Sequence, residues 1–521
     1  MNNEFLIWIV LIKSESYKKG VVISTLLNVF AKGIGFLNTL IIAFYFGANT
    51  GTDIYFYILS VVALITSTIN GIDYYVLVPQ SMKIREQKSE AAAQEFINFF
   101  IYAYIAIGLV LALIGTFAPV FFYTLFSKYD IALLNSNQKL LYLGSIIILF
   151  QLINNLLSAV LTSYKFFTAS IISGLINSVF SILFTVFLHN KLGLAGTLMG
   201  IVIGYGINFV LLMYVLKRYQ KWNFTVVKFM KDKMVWKNIG LMQINILPVW
   251  LRSYFTIYFL TGMGAGIITS LNLAQMLAVL PEIFILTQVA SIVGIKFSEL
   301  AAKKDTVQTN ILLLDILKTL FIILIPIALV MAIANKELIQ FAFERGSFQK
   351  TSIITTAFCF FYFALLLPAK IFDVLFSRLF TSFQLYGVST LFAVIAHTII
   401  TVTLYFLTTN FKLQGYFFAL LIGYYLIMPV TFLLIIKYRI ASIQVSAIIK
   451  DTVVLFTTAA VTYFLADYIF KMLPVNFYIK IPLLCIIVAV PFIAVVNLLL
   501  DLQYQKKLIF KLINKKNPNQ K

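Results

Sequence analysis

Apolar runs of about twenty residues, each long enough to cross a bilayer as a helix, recur through almost the whole chain of 521 residues. The gaps between them are too short for a soluble domain. Hydrophobic residues make up 61% and charged residues 11%, with a mean hydropathy of +0.97, whereas about a quarter of an ordinary soluble domain is charged. The expected fold is therefore all-α and polytopic, with any activity held among helices or in short loops.

Fourteen spans are expected, near residues 21–46, 54–78, 96–120, 140–161, 167–188, 194–216, 239–259, 264–295, 311–333, 353–376, 389–407, 416–436, 452–470 and 477–500. The eighth is longer than one crossing needs and contains Pro281, so a tilt or kink is expected there. With the N-terminus inside, about 27 Lys and Arg fall on the cytoplasmic side against about 8 outside, which places both termini in the cytoplasm. The segment 1–20 lacks the charge pattern and cleavage site of a signal peptide and reads as interfacial, with Trp8 at headgroup level. The basic tail 501–521 can rest on the inner leaflet. A net charge of +21 spread over loops between apolar spans points to anionic membrane lipids as partners, not to nucleic acid.

The chain also repeats itself. FYFGANTGTD before the second span resembles YFLTGMGAG before the eighth, and SMKIREQKSE after the second resembles KFSELAAKKD after the eighth. Both copies have the same topology, so the repeat is parallel, and such halves usually hold a substrate between them. The basic stretch around 217–238 divides the protein near its centre.

The charge that most needs explaining is Lys32, at the midpoint of the first span. A charged side chain near the bilayer centre costs roughly 2.5 to 3.5 kcal/mol on insertion scales, so it is expected to face a water-filled cavity or a partner. Thr25, Asn28, Lys32, Gly35 and Thr39 follow helical steps of three and four and form one polar stripe. Gly33 and Gly35 remove bulk beside the lysine and give the helix a place to bend. Arg252, in the seventh span, suits phosphate oxygens if it faces inward and otherwise snorkels outward. Asp53 starts the second span, as a helix cap or a gate. Lys370 with Asp373, and Asp315 with Lys318, are spaced to neutralise one another within a helix, and Arg378 lies near the inner surface. Asp73, Gln151, Asn154, Asn155, Gln243 and Gln275 read as interhelical hydrogen-bonding residues.

No nucleotide-binding loop, nucleophile–base constellation or metal-ligand spacing stands out, so neither a catalytic nor a metal site is expected, and no cofactor. Cys359 and Cys485 lie far apart in apolar runs and read as small core residues.

The stretch KGIGFLNTLIIAFYFGANTGTDIYF in the first two spans resembles the corresponding signature of the MurJ/MviN lipid II flippase family, within the MOP superfamily of exporters. LIQFAFERGSF (338–348) is similar to that family's outer loop after the ninth helix, and FSRLFTSFQLYGVS (376–389) to its segment after the tenth. The resemblance implies two pseudo-symmetric lobes, residues 21–216 and 239–436, joined by the linker 217–238, around a cationic cavity. It also implies two further helices (437–500) that form a groove for a polyprenyl tail. Lys32 matches a family arginine and Asp53 the family's acidic residue, while Asn38, Ile65 or Thr66, and Met276 stand where arginines are usual.

The implied function is that of a flippase in the bacterial inner membrane, carrying a polyprenyl-diphosphate-linked saccharide by alternating access. The cargo would be a lipid II-like peptidoglycan precursor or a polysaccharide repeat unit. Candidate substrate contacts are Lys32, Asn28, Asn38, Arg252, Gln275 and Arg378; Asp53, Gly33 and Gly35 are candidate gating residues. Cell-envelope biosynthesis enzymes are further expected partners. Competing readings are a MATE-like drug antiporter, which the basic cavity residues oppose, and a membrane glycosyltransferase, which would need a catalytic loop motif.

Overall fold

The computed structural model describes residues 17–225, 227, 232–436 and 443–500; the segment around Trp8, part of the basic linker and the basic tail lie outside the described residues. Every regular element among the described residues is helical. In chain order these are α1 (Tyr17–Phe46), α2 (Thr50–Gln87), α3 (Glu90–Phe117), the short α4 (Pro119–Thr124) and α5 (Ile131–Ser136), and α6 (Gln138–Ser163). Then come α7 (Phe167–Leu192), α8 (Leu194–Gln220), α9 (Lys233–Leu260), α10 (Ile267–Ala302), α11 (Thr306–Ile333) and the short α12 (Asn335–Phe343). The chain continues with α13 (Lys350–Ser382), α14 (Tyr386–Ile436), α15 (Val445–Met472) and α16 (Phe477–Leu499).

Twelve of these, among the described residues, are long and apolar enough to cross a membrane. Two structural details carry that number to the fourteen expected. First, α14 is two helices: Lys412 has φ 51° and ψ −128°, which no helix accommodates. The arms fold back on each other there, since Gly415 lies against the Leu407 carbonyl and Gly423 against Ile400, pairs placed symmetrically about the break. Second, α9 has 28 residues, about 42 Å at 1.5 Å per residue, and falls outside the twelve because it carries Lys237, Asn238, Gln243, Asn245 and Arg252.

Helix starts follow their capping residues. The Ser89 hydroxyl accepts the Ala92 N–H at the head of α3, and the Asp305 carboxylate accepts the Gln308 N–H at the head of α11. Three helices contain a π-helical turn: Asp73–Leu77 in α2, Glu282–Leu286 in α10 and Gly423–Ile427 in α14. Prolines account for them. Pro79 and Pro429 each sit six residues after their turn begins, where the ring has no N–H to give and collides with the carbonyl four residues back, so the ladder shifts register. The irregularity expected at Pro281 is the turn that opens at Glu282.

The described residues form two compact units, one of those up to Thr269 with Arg345–Ser352, the other of Ser270–Glu344 with those from Ile353 on. In the first, Phe96, Phe100 and Tyr104 of α3 pack with Leu156, Leu157 and Leu161 of α6 and Leu212 and Leu216 of α8. Trp222 closes this core and donates its indole N–H to Asn98 Oδ1 at 2.8 Å. Lipid supplies no hydrophobic drive between helices, so close approach must supply the attraction. Thus a Cβ at Gly144 of α6 would stand 2.2 Å from Ile58 Cγ2 of α2, and a bulkier residue there would force the two helices apart.

In the second unit, Phe321, Phe372, Phe376, Phe380 and Phe432 form an aromatic core. Lys370 pairs with Glu282 of α10 at 2.5 Å and Lys318 with Asp451 of α15 at 3.0 Å, so each lysine ties one helix to another beyond whatever it offers the neighbour three residues along its own. In both cases the long stem reaches a facing carboxylate between packed helices. Cys359 is buried as expected, but Cys485 is exposed on α16.

Candidate functional site

At the junction of α1 and α2 the first unit builds a hydrogen-bonded latch. Asn49 caps α2: its side-chain oxygen accepts the N–H groups of Gly51 (2.8 Å) and Thr52 (3.2 Å), and Thr52 Oγ1 accepts the Asn49 N–H in return. Asp53 is thereby released from capping its own helix. Its carboxylate, 1% exposed, accepts the N–H of Gly266 at 2.5 Å, the N–H of Thr269 at 2.8 Å and the Thr269 hydroxyl at 2.7 Å. These are the unsatisfied donors that open α10, and the positive end of a helix favours the charge placed there.

A second strand of the latch comes from residues 345–352. Ser347 donates its N–H to the Phe44 carbonyl at 2.8 Å and its hydroxyl to the Tyr45 carbonyl at 2.9 Å. Glycine is required on both sides of this contact. Gly47 (φ +66°) and Gly346 (φ +60°) are left-handed, and a Cβ on them would lie 2.4 Å from the Ser347 oxygen and 2.3 Å from the Phe44 oxygen. Tyr129, in the loop after α4, is half-buried with its ring edge-on to Tyr57 at 5.3 Å between centroids. Burial first, and the Asp53 charge second, hold its phenol neutral, far above its ordinary value.

The end of α9 is held in the same unit. Lys128 donates its N–H to Thr261 Oγ1 at 2.8 Å, and its ammonium lies over the rings of Phe259 (4.6 Å) and Tyr258 (5.2 Å). Further along α9, Gln243 donates to the Thr68 carbonyl at 3.1 Å, so an amide links α9 to α2, as expected for that residue.

The sequence-predicted residues fall as follows. Asn28 and Lys32 are exposed on α1, and Lys32 makes no ion pair among the described residues. The stripe ends inside the protein, where Thr39 is buried and bonds the Gly35 carbonyl at 3.2 Å. Asn38 is half-buried and accepts the Ser181 hydroxyl of α7 at 3.2 Å. Helix α1 runs unbroken through Gly33 and Gly35, and among the described residues nothing comes within 4 Å of where a Cβ on Gly33 would be. Arg252 is half-buried on α9.

Gln275 and Arg378 belong to the second unit and are exposed, the Arg378 stem lying against Gly294. That unit also holds a groove of about 610 Å³ between α15 and α16, lined by Val461, Leu465, Ile469, Ile487, Pro491 and Val495. Sequence reasoning missed Asn49, Gly266, Thr269 and Ser347. The repeated glycine-rich motif at 44–53 and 258–266 contains Asn49 and Gly266, the stretch 338–348 contains Ser347, and no motif contains Thr269.

Comparison with known proteins places this geometry. A family model described as lipid II flippase MurJ matches residues 42–484. A protein of Borreliella burgdorferi described as a probable lipid II flippase MurJ is 24% identical over 364 residues, which cover 65% of this chain and 69% of that one. Among solved structures, the fold matches a lipid II flippase MurJ in an inward closed conformation with a TM-score of 0.70 at 18% identity, over 94% of this chain and 100% of that one. It also matches an inward-facing multidrug resistance MATE transporter of the MOP superfamily, with a TM-score of 0.63 at 14% identity over 80% and 95% of the two chains.

Proposed function

The chain belongs to the lipid II flippase MurJ family, and from that premise we propose which of its residues handle the cargo and which hold the transporter shut. It is a multi-pass membrane transporter, not an enzyme, and its substrate is a polyprenyl-linked saccharide moved between leaflets by alternating access.

In our reading Lys32 meets the diphosphate. The observation that carries this is an exposed ammonium on an apolar helix with no ion pair among the described residues. A cation kept in such a helix at a cost of a few kcal/mol is there for a ligand, and phosphate oxygens are the acidic groups this cargo offers. Asn28, one turn earlier on the same face, supplies an amide to the same headgroup. Arg252, Gln275 and Arg378 are further contacts, Asn38 orients α1 through Ser181, and the open space at Gly33 admits the headgroup beside Lys32, with Gly35 as a second gating position. The apolar groove of α15 and α16 takes the polyprenyl tail.

Asp53 is the gate. Its three hydrogen bonds to Gly266 and Thr269 must break and re-form in each cycle if residues 44–53 are to part from the head of α10. In this reading the N-terminus is cytoplasmic, which puts the latch on the outer side, and the lobes 21–216 and 239–436 move against one another. The basic loops bind anionic lipids, and enzymes of envelope synthesis deliver or receive the cargo.

The test is a reconstituted flipping assay with lipid II and, in competition, a polysaccharide repeat-unit lipid. Loss of movement in Lys32→Ala with partial recovery in Lys32→Arg supports the assignment. Full transport by the alanine variant overturns it. The competition identifies which saccharide is preferred.

A further inference from the structure

One carboxyl group in the core of the first unit serves neither the latch nor the α1 stripe. Asp73 is 0% exposed and opens the π-turn of α2. Its Oδ1 accepts the hydroxyl of Tyr104 from α3 at 2.6 Å, and its Oδ2 has no hydrogen-bond partner among the described residues. Ile72, Val76, Leu77, Ile101, Ile153 and Leu157 make the surrounding core apolar. The titratable groups that face Asp73 are Tyr104 from α3 and Tyr74 from its own helix. The other helices packed on this part of α2 bring Ile153 and Leu157 from α6, and Met242, Gln243 and Ile246 from α9. No lysine, arginine or histidine among the described residues pairs with the carboxyl.

The backbone does not explain the residue. Residues 73–79 read DYYVLVP and residues 423–429 read GYYLIMP, and both form π-turns ahead of a proline. The turns close alike, with the Val78 N–H donating to the Asp73 carbonyl and the Met428 N–H to the Gly423 carbonyl. Glycine stands at 423 where aspartate stands at 73, so the turn forms without a carboxyl group. What remains is the chemistry of the side chain. An ionised carboxylate in apolar surroundings with no cation is strongly disfavoured, whereas a protonated one keeps the Tyr104 bond and carries no charge. A π-turn holds one residue more than an α-helical turn, and releasing its backbone bonds would let Asp73 turn away from Tyr104.

We propose that Asp73 is a proton-binding site within the membrane, and that releasing its proton opens the π-turn of α2. The inference goes beyond the flippase reading. It gives the transporter a group through which proton occupancy can bias the shape of the helix that carries Asp53.

Full-length protein in nanodiscs, stepped from acid to alkaline pH, supplies two readouts. Infrared difference spectra of the wild type should lose a protonated-carboxyl band as pH rises. Asp73→Asn should lack that band, and Tyr104→Phe should shift its frequency. Amide hydrogen exchange of residues 66–79, corrected for the intrinsic effect of pH, should rise several-fold in the wild type across the same interval and stay flat in Asp73→Asn. Carboxyl spectra identical in the wild type and Asp73→Asn overturn the site. Exchange profiles that run parallel in the two proteins overturn the opening of the turn. If the wild type moves no lipid II, the flippase reading fails while both readouts still decide this one.

Discussion

The carboxylate of Asp53 accepts both the backbone N–H and the hydroxyl of Thr269, a residue 216 positions later in the chain. An acid at the head of one helix thus caps the head of another, and its own helix is left to Asn49. Replacing Asp53 with alanine removes the acceptor for three donors, at about 1 to 3 kcal/mol for each that stays buried. We expect the contact to open: a cysteine introduced at Thr269 should label several-fold faster with a membrane-impermeant maleimide in Asp53→Ala than in the parent. Asp53→Asn, which keeps one acceptor oxygen, should fall between. Equal labelling in all three would show that the bond does not hold the segment closed.

Lys32→Ala should reduce lipid II flipping by at least tenfold with protein abundance near normal, because an exposed α1 lysine contributes nothing to the buried core. Charge matters more than shape in this prediction, so Lys32→Arg should keep part of the activity and Lys32→Met none. The flipping rate in liposomes, normalised to reconstituted protein, is the measurement; a methionine variant as active as the arginine one would argue against a phosphate contact.

Gly346→Ala tests the latch by stability. The left-handed backbone costs a non-glycine residue roughly 1 to 2 kcal/mol, and the new Cβ would stand 2.3 Å from the Phe44 oxygen. The thermal midpoint in detergent should fall by several degrees. Gly33→Ala, with nothing within 4 Å of its Cβ, should leave it unchanged.

The pair Lys370–Glu282 is about a quarter exposed on each side. Removing either partner should cost about 1 to 3 kcal/mol, less than for a fully buried pair because water still reaches the survivor. Lys370→Met combined with Glu282→Gln should be less damaging than the two single changes added together, and a double-mutant cycle in thermal stability gives the coupling. Strict additivity would mean that the ion pair has no energetic role.

The helices were legible in the sequence because lipid forces each crossing to be a long apolar run, and the proline at 281 marked its irregularity in advance. The partners of the charged residues were much less so. Spacing along a helix finds only neighbours three or four residues away, so it offered Asp373 to Lys370 where the fold also offers Glu282, 88 positions distant. Asp53 could be flagged as an acid at a helix start, but Thr269 carries no mark of its own and lies three residues past the repeated glycine-rich motif. Asp73 was visible as a polar residue in an apolar span, and Tyr104, one of 28 tyrosines, could not be singled out.

The bond between Ser347 and the Tyr45 carbonyl joins positions 302 residues apart, and that distance sets a clock during synthesis. A ribosome adds roughly 5 to 20 residues per second, so the Tyr45 carbonyl waits on the order of 15 to 60 s for its partner to be made. The first helices must therefore reside in the membrane with this junction unsealed. A protease or chaperone on that side has its best access to residues 44–53 during this interval, before the loop that covers them exists.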